Sequence, residues 1–402
     1  MGYNTTIAPL LVLNATNFKD YPLGGALGTV RLFLKNTRFK PILVGITNDL
    51  NQKLGKWTEI DVHGRKLPFL PVANTQINGI PHKILLMMGI LIHHRKIKSR
   101  IQGSTVNIML FVNREAYVSA KAIFGGAKQL NIFFKMTEAG NPLEISERKI
   151  GNNRILQYIY LHFFIKPMLK AAKVIFSINE ECRQFCEQYL HSSVERRKIK
   201  DVHHYIEYEK IRSCYETAIV EKKYHIKRMI FWGRIADVKG IDLIIQAIDI
   251  LKEENLDVHF IVIGDGSERP ALEKLVVELD LQKEIVFTGR CSIEQIAVYA
   301  KNSDVFVMGS HTEGIPTSML EAMTFGLPTV STAVGGIPTL IKDGVNGFLV
   351  HERDPEKFSE SIKRALKMDL GEVKGYNAKF IKDGYSVESV VEQMDGFMAS
   401  QM

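Results

Sequence analysis

Two glutamates, Glu313 and Glu321, stand in a segment that also carries Gly314, Pro316 and Gly326. The segment follows an apolar run of strand length, and its second half has a helical pattern that Gly326 ends. Backbone N–H groups at a helix start are unpaired and lie at the positive end of the helix dipole, so they suit a phosphate. Carboxylates repel phosphate but accept hydrogen bonds from sugar hydroxyls. The pattern therefore predicts a ligand with both parts, a nucleotide sugar.

The elements around this segment alternate between strand and helix, which is typical of a parallel sheet. Strands are predicted at residues 229–232, 259–263, 284–287 and 304–308, and helices at 242–253, 271–279 and 318–325. The strands are continuously apolar, as expected where helices cover both faces of a sheet. The glycines that follow the strands are Gly233, Gly264, Gly289 and Gly309. Ligands bind at the carboxyl ends of the strands in such sheets, so we expect these glycines to share one site.

The first half of the chain shows the same alternation less clearly. Its predicted strands are at residues 10–13, 41–46, 107–111, 131–134 and 174–178. Because 402 residues exceed one ordinary hydrophobic core, two domains of about 200 residues each are expected. The polar stretch at about 203–227 is the predicted linker.

On these motifs the chain resembles the GT-B-fold retaining glycosyltransferases of family 4. Their donor motif is two Glu separated by seven residues, with Gly after the first, and it stands here at Glu313 to Glu321. Three further motifs match at residues 231–242, 260–266 and 285–290. The match is dense from about residue 228 to 350 and thin before residue 200.

The resemblance implies an α/β fold of the GT-B class, with two doubly wound Rossmann-like domains facing each other across a cleft. Residues 1–205 would form the acceptor-side domain, completed by a crossover helix at about 386–402. Residues 206–385 would form the donor domain, which binds the nucleotide sugar.

The resemblance also implies roles for individual residues. Arg234 and Lys239 would clamp the donor diphosphate and Glu313 would bind the donor sugar, so these three are the candidate catalytic residues. Glu321 would bind the ribose hydroxyls. The other candidate donor-binding residues, which include a Gly-Gly loop after the first strand, are Gly24, Gly25, Gly264, Gly289, Arg290, Gly314, Ile315, Pro316 and Thr317.

The acceptor side departs from the family pattern. The family often carries a His after the strand that corresponds to residues 107–112, and this chain has Asn113, Arg114 and Glu115 there. The departure puts a His-assisted reaction in doubt. The candidate acceptor-side residues are therefore Asn113, Arg114 and, in a later loop, Glu138.

We expect a retaining hexosyl- or related glycosyltransferase that moves a sugar from a UDP or GDP donor to a glycan or lipid-linked acceptor in polysaccharide or glycoconjugate synthesis. No cofactor is expected besides the donor substrate. The alternatives are a nucleotide-sugar epimerase on the same fold and a non-catalytic partner subunit that keeps the fold. Intact Glu313, Glu321, Arg234 and Lys239 argue against the second alternative.

No metal site is predicted. No Asp in the chain has another Asp two positions on, which is the usual metal-diphosphate pattern of the other large glycosyltransferase fold. The adjacent pairs His93-His94 and His203-His204 point in different directions on a helix. The cysteines, Cys182, Cys186, Cys214 and Cys291, lack the spacing of a zinc site or a disulfide scaffold, so reduced thiols are expected.

The charge of the chain is divided unevenly. Residues 1–200 hold 29 Lys and Arg against 12 Asp and Glu, a net charge of +17, whereas residues 201–402 carry −9. A basic half points to an anionic partner, for which an anionic membrane surface or a phosphate-linked glycan qualifies and no nucleic acid is expected. No apolar run reaches the length of a membrane-spanning helix, so we expect a cytoplasmic protein, at most peripheral on the inner face of the cell membrane.

One segment bears on that choice. Residues 84–92 are apolar and run into the basic residues Arg95, Lys96, Lys98 and Arg100. Such a segment could lie at a lipid interface, with its cations toward the headgroups, or form a buried helix with a charged exit. The sequence leaves both interpretations open.

Overall fold

The computed structural model describes residues 8–21, 25–76, 80–101, 105–111, 113–136, 154–219 and 226–402. The chain divides into two compact units. Unit 1 comprises Met1–His203 and Val387–Met402, and unit 2 comprises His204–Ser386. These bounds lie close to the expected domain limits at residues 205 and 386.

Unit 1 is built on an eight-stranded sheet. Its strands are β1 (Pro9–Leu13), β2 (Lys40–Thr47), β3 (Thr58–Val62), β4 (Arg65–Asn74), β5 (Thr105–Leu110), β6 (Gln129–Lys135), β7 (Val174–Ser177) and β8 (Ile199–Asp201). They lie in the order β3-β4-β2-β1-β5-β6-β7-β8, and only the β3–β4 pair is antiparallel.

The β3–β4 hairpin was not predicted from the sequence. Its turn residues His63 and Gly64 have positive φ angles of 54° and 84°, as the common two-residue hairpin turn requires. Pro68 and Pro71 interrupt the pattern of β4, because proline is rare inside a strand that pairs on both sides.

Helices cover the sheet of unit 1. They are α1 (Gly25–Asn36), α2 (His82–Ile92), α3 (His94–Arg100), α4 (Ala116–Phe124), α5 (Arg154–Tyr160), a π-helical turn (Leu161–Ile165), α6 (Lys166–Ala171), α7 (Glu180–Glu187) and α8 (Ser193–Arg196). Cys182 and Cys186 of α7 are buried free thiols, and burial raises the pKa of the Cys186 thiol to about 12. At neutral pH that thiol therefore stays protonated and packs as a small apolar group.

Helix α2 agrees in part with each interpretation of the segment 84–92, because one of its faces is buried and the other is exposed. Leu85, Leu86 and Ile90 are buried on one face of the helix. That face packs closely, because an added Cβ at Gly89 would overlap the backbone of Val72 in β4. The opposite face is exposed and equally apolar.

Unit 2 is built on a six-stranded sheet in which all neighbours are parallel. Its strands are β9 (Lys227–Trp232), β10 (Val258–Ile263), β11 (Ile285–Gly289), β12 (Val305–Met308), β13 (Thr329–Thr332) and β14 (Gly347–Val350). They lie in the order β11-β10-β9-β12-β13-β14. The strand order reverses between β9 and β12, which is where ligands bind in sheets of this kind.

The helices of unit 2 fill the connections between these strands. They are α9 (Tyr208–Thr217), α10 (Ile241–Glu253), α11 (Arg269–Glu278), α12 (Ile293–Lys301), α13 (Thr317–Phe325), α14 (Pro355–Ala365) and α15 (Leu370–Tyr385), with short 3₁₀ turns at Asp237–Lys239 and Ile337–Thr339. The expected doubly wound α/β architecture is confirmed in both units.

The last helix, α16 (Val387–Ala399), follows unit 2 in the chain and belongs to unit 1. Its buried Asp395 accepts hydrogen bonds from the hydroxyl of Thr37 at 2.8 Å and from the backbone N–H of Arg38 at 2.7 Å. This carboxylate therefore satisfies the polar groups at the end of α1.

In the described ranges, no helix combines the length and the apolar character needed to cross a lipid bilayer.

Candidate active site

The loops at the carboxyl ends of β9 and β12 carry the candidate catalytic residues of unit 2. Lys239 Nζ forms an ion pair with Glu313 Oε1, and the hydroxyl of Ser310 donates to the same oxygen at 2.8 Å. The side chains of Lys239 and Glu313 are only 18% and 11% exposed, so water screens this pair weakly. The sequence predicted a diphosphate as the group that neutralises Lys239, and in this structure Glu313 neutralises it.

Close backbone packing fixes the two loops that carry this pair. Gly240 follows Lys239 and has a left-handed φ of 55°, and an added Cβ there would overlap the carbonyl oxygen of Gly309. The N–H of His311 donates to the carbonyl of Val238 at 2.9 Å. Because the loops touch through their backbones, the Lys239–Glu313 contact does not depend on the freedom of long side chains alone.

Arg234 lies in the same loop as Lys239 but is exposed. Within the described ranges it forms no ion pair and no hydrogen bond through its side chain. Its guanidinium is therefore available to an anion beside this site.

Glu321 lies in the second turn of α13 and meets the end of β9. The indole Nε1–H of Trp232 donates to Glu321 Oε2 at 2.7 Å. Burial raises the pKa of the Glu321 carboxyl to about 7, and the hydrogen bond from Trp232 acts in the opposite direction. Glu321 is therefore poised to change its protonation state near neutral pH.

Trp232 was missed by sequence reasoning. It is 4% exposed, and its ring packs edge-on against Phe306 at 4.7 Å between centroids and lies 5.9 Å from that of Phe325. A buried indole N–H needs an acceptor, so a Trp at the end of a core strand was the signal that could have pointed to a polar partner nearby.

The start of α13 is open to an anion. Pro316 occupies its N-cap without a side-chain hydrogen bond, and no acidic residue lies in the first turn. The side chain of Thr317 contacts His204 Nε2 at 3.1 Å. Gly314 and Ile315 precede this start, and the carbonyl of Gly314 accepts from the N–H of Gly336 at 2.8 Å.

Gly335 holds the neighbouring loop against the Glu313 turn. Its φ is 55°, and an added Cβ would overlap the carbonyl oxygen of Glu313. Any other residue at this position would push the two loops apart.

The structure brings the strand-end glycines together in one row. The N–H of Gly233 donates to Ile263 at 3.0 Å, and the N–H of Gly264 donates to the carbonyl of Gly289 at 2.8 Å. Arg290 follows this row and is exposed. The residues predicted for donor binding in unit 2 thus lie along one edge of its sheet.

The candidates of unit 1 are placed differently. Asn113 is buried, and its Oδ1 accepts from the N–H of Ala15 at 2.8 Å, so this side chain already holds the loop after β1. Arg114 is 3% exposed, and its guanidinium lies 5.8 Å from the ring centre of Phe134. Gly25 begins α1, whereas Gly24 and Glu138 lie outside the described residues. The acceptor-side role of Asn113, Arg114 and Glu138 stays a prediction, as does the donor-binding role of Gly24 and Gly25.

For metals, the part of the chain that the structure describes contains no group of three or more His, Cys, Asp or Glu side chains that could hold an ion. Independence of a metal ion stays a prediction.

Known proteins resemble this chain in sequence. Residues 217–387 match the family model described as glycosyl transferases group 1. An uncharacterized glycosyltransferase of Methanocaldococcus jannaschii is 28% identical over 282 residues, which are 69% of each chain. A D-inositol 3-phosphate glycosyltransferase of Geodermatophilus obscurus is 35% identical over 147 residues, and these cover 34% of this chain and 33% of the relative.

Solved structures resemble the chain over nearly its whole length. Sucrose-phosphate synthase of Thermosynechococcus elongatus superposes with a TM-score of 0.72 at 16% identity, covering 98% of both chains. At this identity the similarity concerns the fold, and the folds are those of GT-B glycosyltransferases. The epimerase and the non-catalytic subunit are not favoured. The chain therefore has the GT-B fold, and its residues 217–387 are similar to the glycosyl transferases of group 1.

Proposed function

We propose that this protein is a retaining glycosyltransferase that moves a sugar from a nucleoside diphosphate donor to a glycan or lipid-linked acceptor, without a metal or other cofactor. The observation that carries the proposal is the position of the Lys239–Glu313 ion pair beside the uncapped start of α13. A cation, a helix N-terminus and a carboxylate meet there, which suits a phosphate and a sugar together.

The first chemical requirement is neutralisation of the leaving diphosphate. The exposed guanidinium of Arg234 can turn toward the diphosphate. Lys239 and the backbone N–H groups at the start of α13 supply positive charge from fixed positions. Such preorganised groups stabilise the charge that develops as the bond between sugar and phosphate breaks.

Donor binding has a specific consequence for the ion pair. A diphosphate carries more negative charge than one carboxylate, so it competes with Glu313 for Lys239. Glu313 then gains a free oxygen to accept hydrogen bonds from donor-sugar hydroxyls. The same event thus neutralises the diphosphate and prepares the sugar site.

Retention of the anomeric configuration is inferred from the family resemblance, and no side chain is assigned as a nucleophile. We propose that the acceptor hydroxyl attacks on the face that the diphosphate leaves, and that a donor phosphate oxygen takes the acceptor proton. The C–O bond to the acceptor forms as the C–O bond to the diphosphate breaks, and the nucleoside diphosphate leaves with its electron pair.

The ribose is assigned to Glu321, whose carboxylate Trp232 holds by its indole N–H. UDP and GDP sugars are the proposed donors. A structural neighbour, the Anabaena protein HepE, was solved in complex with UDP and glucose. Its TM-score is 0.66 at 16% identity, covering 98% of this chain and 99% of that one.

A role in polysaccharide or glycoconjugate synthesis fits an acceptor at an anionic membrane. The basic charge of the first 200 residues would hold unit 1 near such a surface, on the inner face of the cell membrane.

A donor panel tests the proposal. Thermal unfolding would be followed with UDP, GDP and their sugar conjugates, because a ligand that binds the folded state raises its stability. Release of free sugar would then be measured with the nucleotide sugar that stabilises most. Stabilisation with slow sugar release supports a transferase. An isomerised donor sugar would point to an epimerase, and no stabilisation by any donor would overturn the proposal.

A further inference from the structure

Helix α2 exposes an apolar stripe on the side away from the core. Ile84, Met88, Leu91 and Ile92 recur at helical spacing and are 41–69% exposed. Their positions are fixed, because the opposite face of the helix packs against β4. Monomeric soluble proteins rarely leave a contiguous apolar surface of this kind uncovered.

A second apolar stripe lies on α5 and the π-helical turn that continues it. Ile155, Tyr158, Ile159 and Phe163 recur at the same spacing and are 41–72% exposed. The ring of Tyr158 stacks on that of His162 at 3.9 Å between centroids, which orders this face of the helix. The sequence analysis did not single out this stripe.

Glu115 joins the two helices. Its Oε1 accepts from the hydroxyl of Tyr160 at 2.8 Å and lies 3.4 Å from Lys83 Nζ. Lys83 is next to Ile84 of the first stripe, and Tyr160 is next to Ile159 of the second. The helices that carry the two stripes therefore meet at this carboxylate. We call the two stripes together the apolar platform, whose residues are Ile84, Met88, Leu91, Ile92, Ile155, Tyr158, Ile159 and Phe163.

The charged residues of the two helical segments that carry the apolar platform all have one sign. Residues 80–101 contain no Asp or Glu and five Lys or Arg, and residues 154–173 contain no Asp or Glu and four. Two of the cations are engaged within unit 1, since Lys96 Nζ donates to the carbonyl of Gly55 and Arg100 lies over the ring of Trp57. The exposed cations that follow α2 without such contacts in the described ranges are Arg95 and Lys98.

We propose that the apolar platform docks unit 1 on an anionic lipid bilayer, with the exposed side chains of both helices inserted below the headgroups. Apolar helix faces with cations beside them bind such interfaces, and Tyr and His suit the headgroup level. A second copy of this chain is the weaker partner, because the charged side chains of these two segments are all cations and would repel those of the other copy. This inference names the surface through which unit 1 would contact the membrane. It rests on the proposed function only in taking the acceptor to lie at that membrane.

The experiment uses the full chain with a fluorescent reporter. Phe163→Trp places an indole in the second stripe, and Val194→Trp, at a residue that is 68% exposed on α8, is the matched control. Vesicles of phosphatidylcholine with phosphatidylglycerol, and of phosphatidylcholine alone, would be titrated at low salt. We expect a blue shift, and quenching by brominated lipid, for Phe163→Trp with the anionic vesicles only.

Sedimentation with the same vesicles measures binding. Phe163→Ser with Tyr158→Ser should lower the partition coefficient about tenfold or more, because exposed apolar area no longer leaves water, whereas Val194→Ser should change nothing. Arg95→Gln with Lys98→Gln should also lower it. Lys40→Gln with Lys128→Gln removes the same charge from exposed sites elsewhere in unit 1 and should have a smaller effect.

Three outcomes overturn the proposal. The protein could ignore anionic vesicles at low salt. It could bind them while Phe163→Trp shows neither blue shift nor quenching, in which case only charge attracts it, as it would to a soluble polyanion. It could form a dimer in the absence of lipid, and the Phe163→Ser substitution could dissociate that dimer, which would assign the apolar platform to contact with a second copy. Binding of UDP or GDP by the same samples tests the proposed function separately. The residues proposed to bind the nucleotide lie in unit 2, whereas the apolar platform lies in unit 1.

Discussion

The indole Nε1 of Trp232 and the Oε2 of Glu321 lie 2.7 Å apart, so an apolar core residue orients the carboxylate assigned to the ribose. Trp232→Phe keeps an aromatic ring against Phe306 and removes only the donor. A hydrogen bond to a charged group contributes roughly 1.5–3 kcal/mol, so nucleoside diphosphate affinity should fall about tenfold. Calorimetric titration with UDP or GDP checks this. Phe306→Leu disturbs the same packing but keeps the indole donor and should have a smaller effect, and an unchanged affinity in Trp232→Phe would contradict the role given to Trp232.

Glu321 should also make the stability of the protein depend on pH. Burial raises its pKa from 4.5 to about 7, so its contribution to stability is present below pH 4.5 and lost as the pH rises through 7. Glu321→Gln removes the titrating group, and its unfolding temperature relative to wild type should rise between pH 5 and pH 8. Glu253→Gln, at an exposed position of α10, is the control and should show no such trend. A constant difference between Glu321→Gln and wild type would argue against a buried titrating carboxyl.

The two cations of the proposed clamp should behave differently when removed. Arg234→Ala should cut turnover at least about tenfold, since it removes a charge-assisted contact, and should leave the melting temperature unchanged because Arg234 is exposed. Lys239→Ala should cut turnover similarly and also lower stability by about 1–3 kcal/mol, because it leaves Glu313 without its cation.

Lys239→Ala combined with Glu313→Gln should regain the lost stability and stay inactive, since the uncompensated charge is gone. Steady-state kinetics and thermal unfolding of the same samples separate the two effects. Near-normal turnover in either single variant would remove that residue from the clamp.

Glu313 and Glu321 should divide their work between sugar and ribose. Glu321→Ala should weaken binding of bare UDP or GDP, because the ribose is present there. Glu313→Ala should spare that binding, or strengthen it by releasing Lys239, and should damage transfer. Equal losses of nucleoside diphosphate affinity in the two variants would refute the division.

Metal independence follows from the positive groups that Lys239, Arg234 and the start of α13 provide. Activity should survive exhaustive chelation with EDTA. A complete loss that magnesium or manganese restores would show that the diphosphate needs a metal ion after all.

The sequence could predict strands β9 to β12 because each is a largely apolar run that ends at a glycine. Those features are local, so the pattern alone places Gly233, Gly264 and Gly289 at one edge of the sheet. Strands β13 and β14 were not predicted, because β13 is mostly Thr and Ser and neither strand ends at a glycine. In unit 1 the β3–β4 hairpin escaped prediction because Pro68 and Pro71 obscure its strand pattern.

The contacts within the site could not be predicted in the same way. Trp232 and Glu321 are 89 residues apart, and Lys239 and Glu313 are 74 apart, so only the folded sheet brings each pair together. The sequence placed Asn113 among the residues that would contact the acceptor substrate. In the structure its side-chain Oδ1 instead accepts a hydrogen bond from the backbone N–H of Ala15, 98 residues earlier in the chain. Side-chain hydrogen bonds of this kind depend on loop geometry, which the hydrophobic periodicity of the sequence does not predict.

The return of α16 to unit 1 has a consequence for the order in which the chain can fold. A ribosome makes Thr37 and Arg38 early, but their buried partner Asp395 appears only after all of unit 2 has been synthesised. Unit 2 is continuous in sequence and can fold as soon as it emerges. Unit 1 therefore begins to form before unit 2 and is completed after it, and until then the polar groups at the end of α1 lack their partner Asp395.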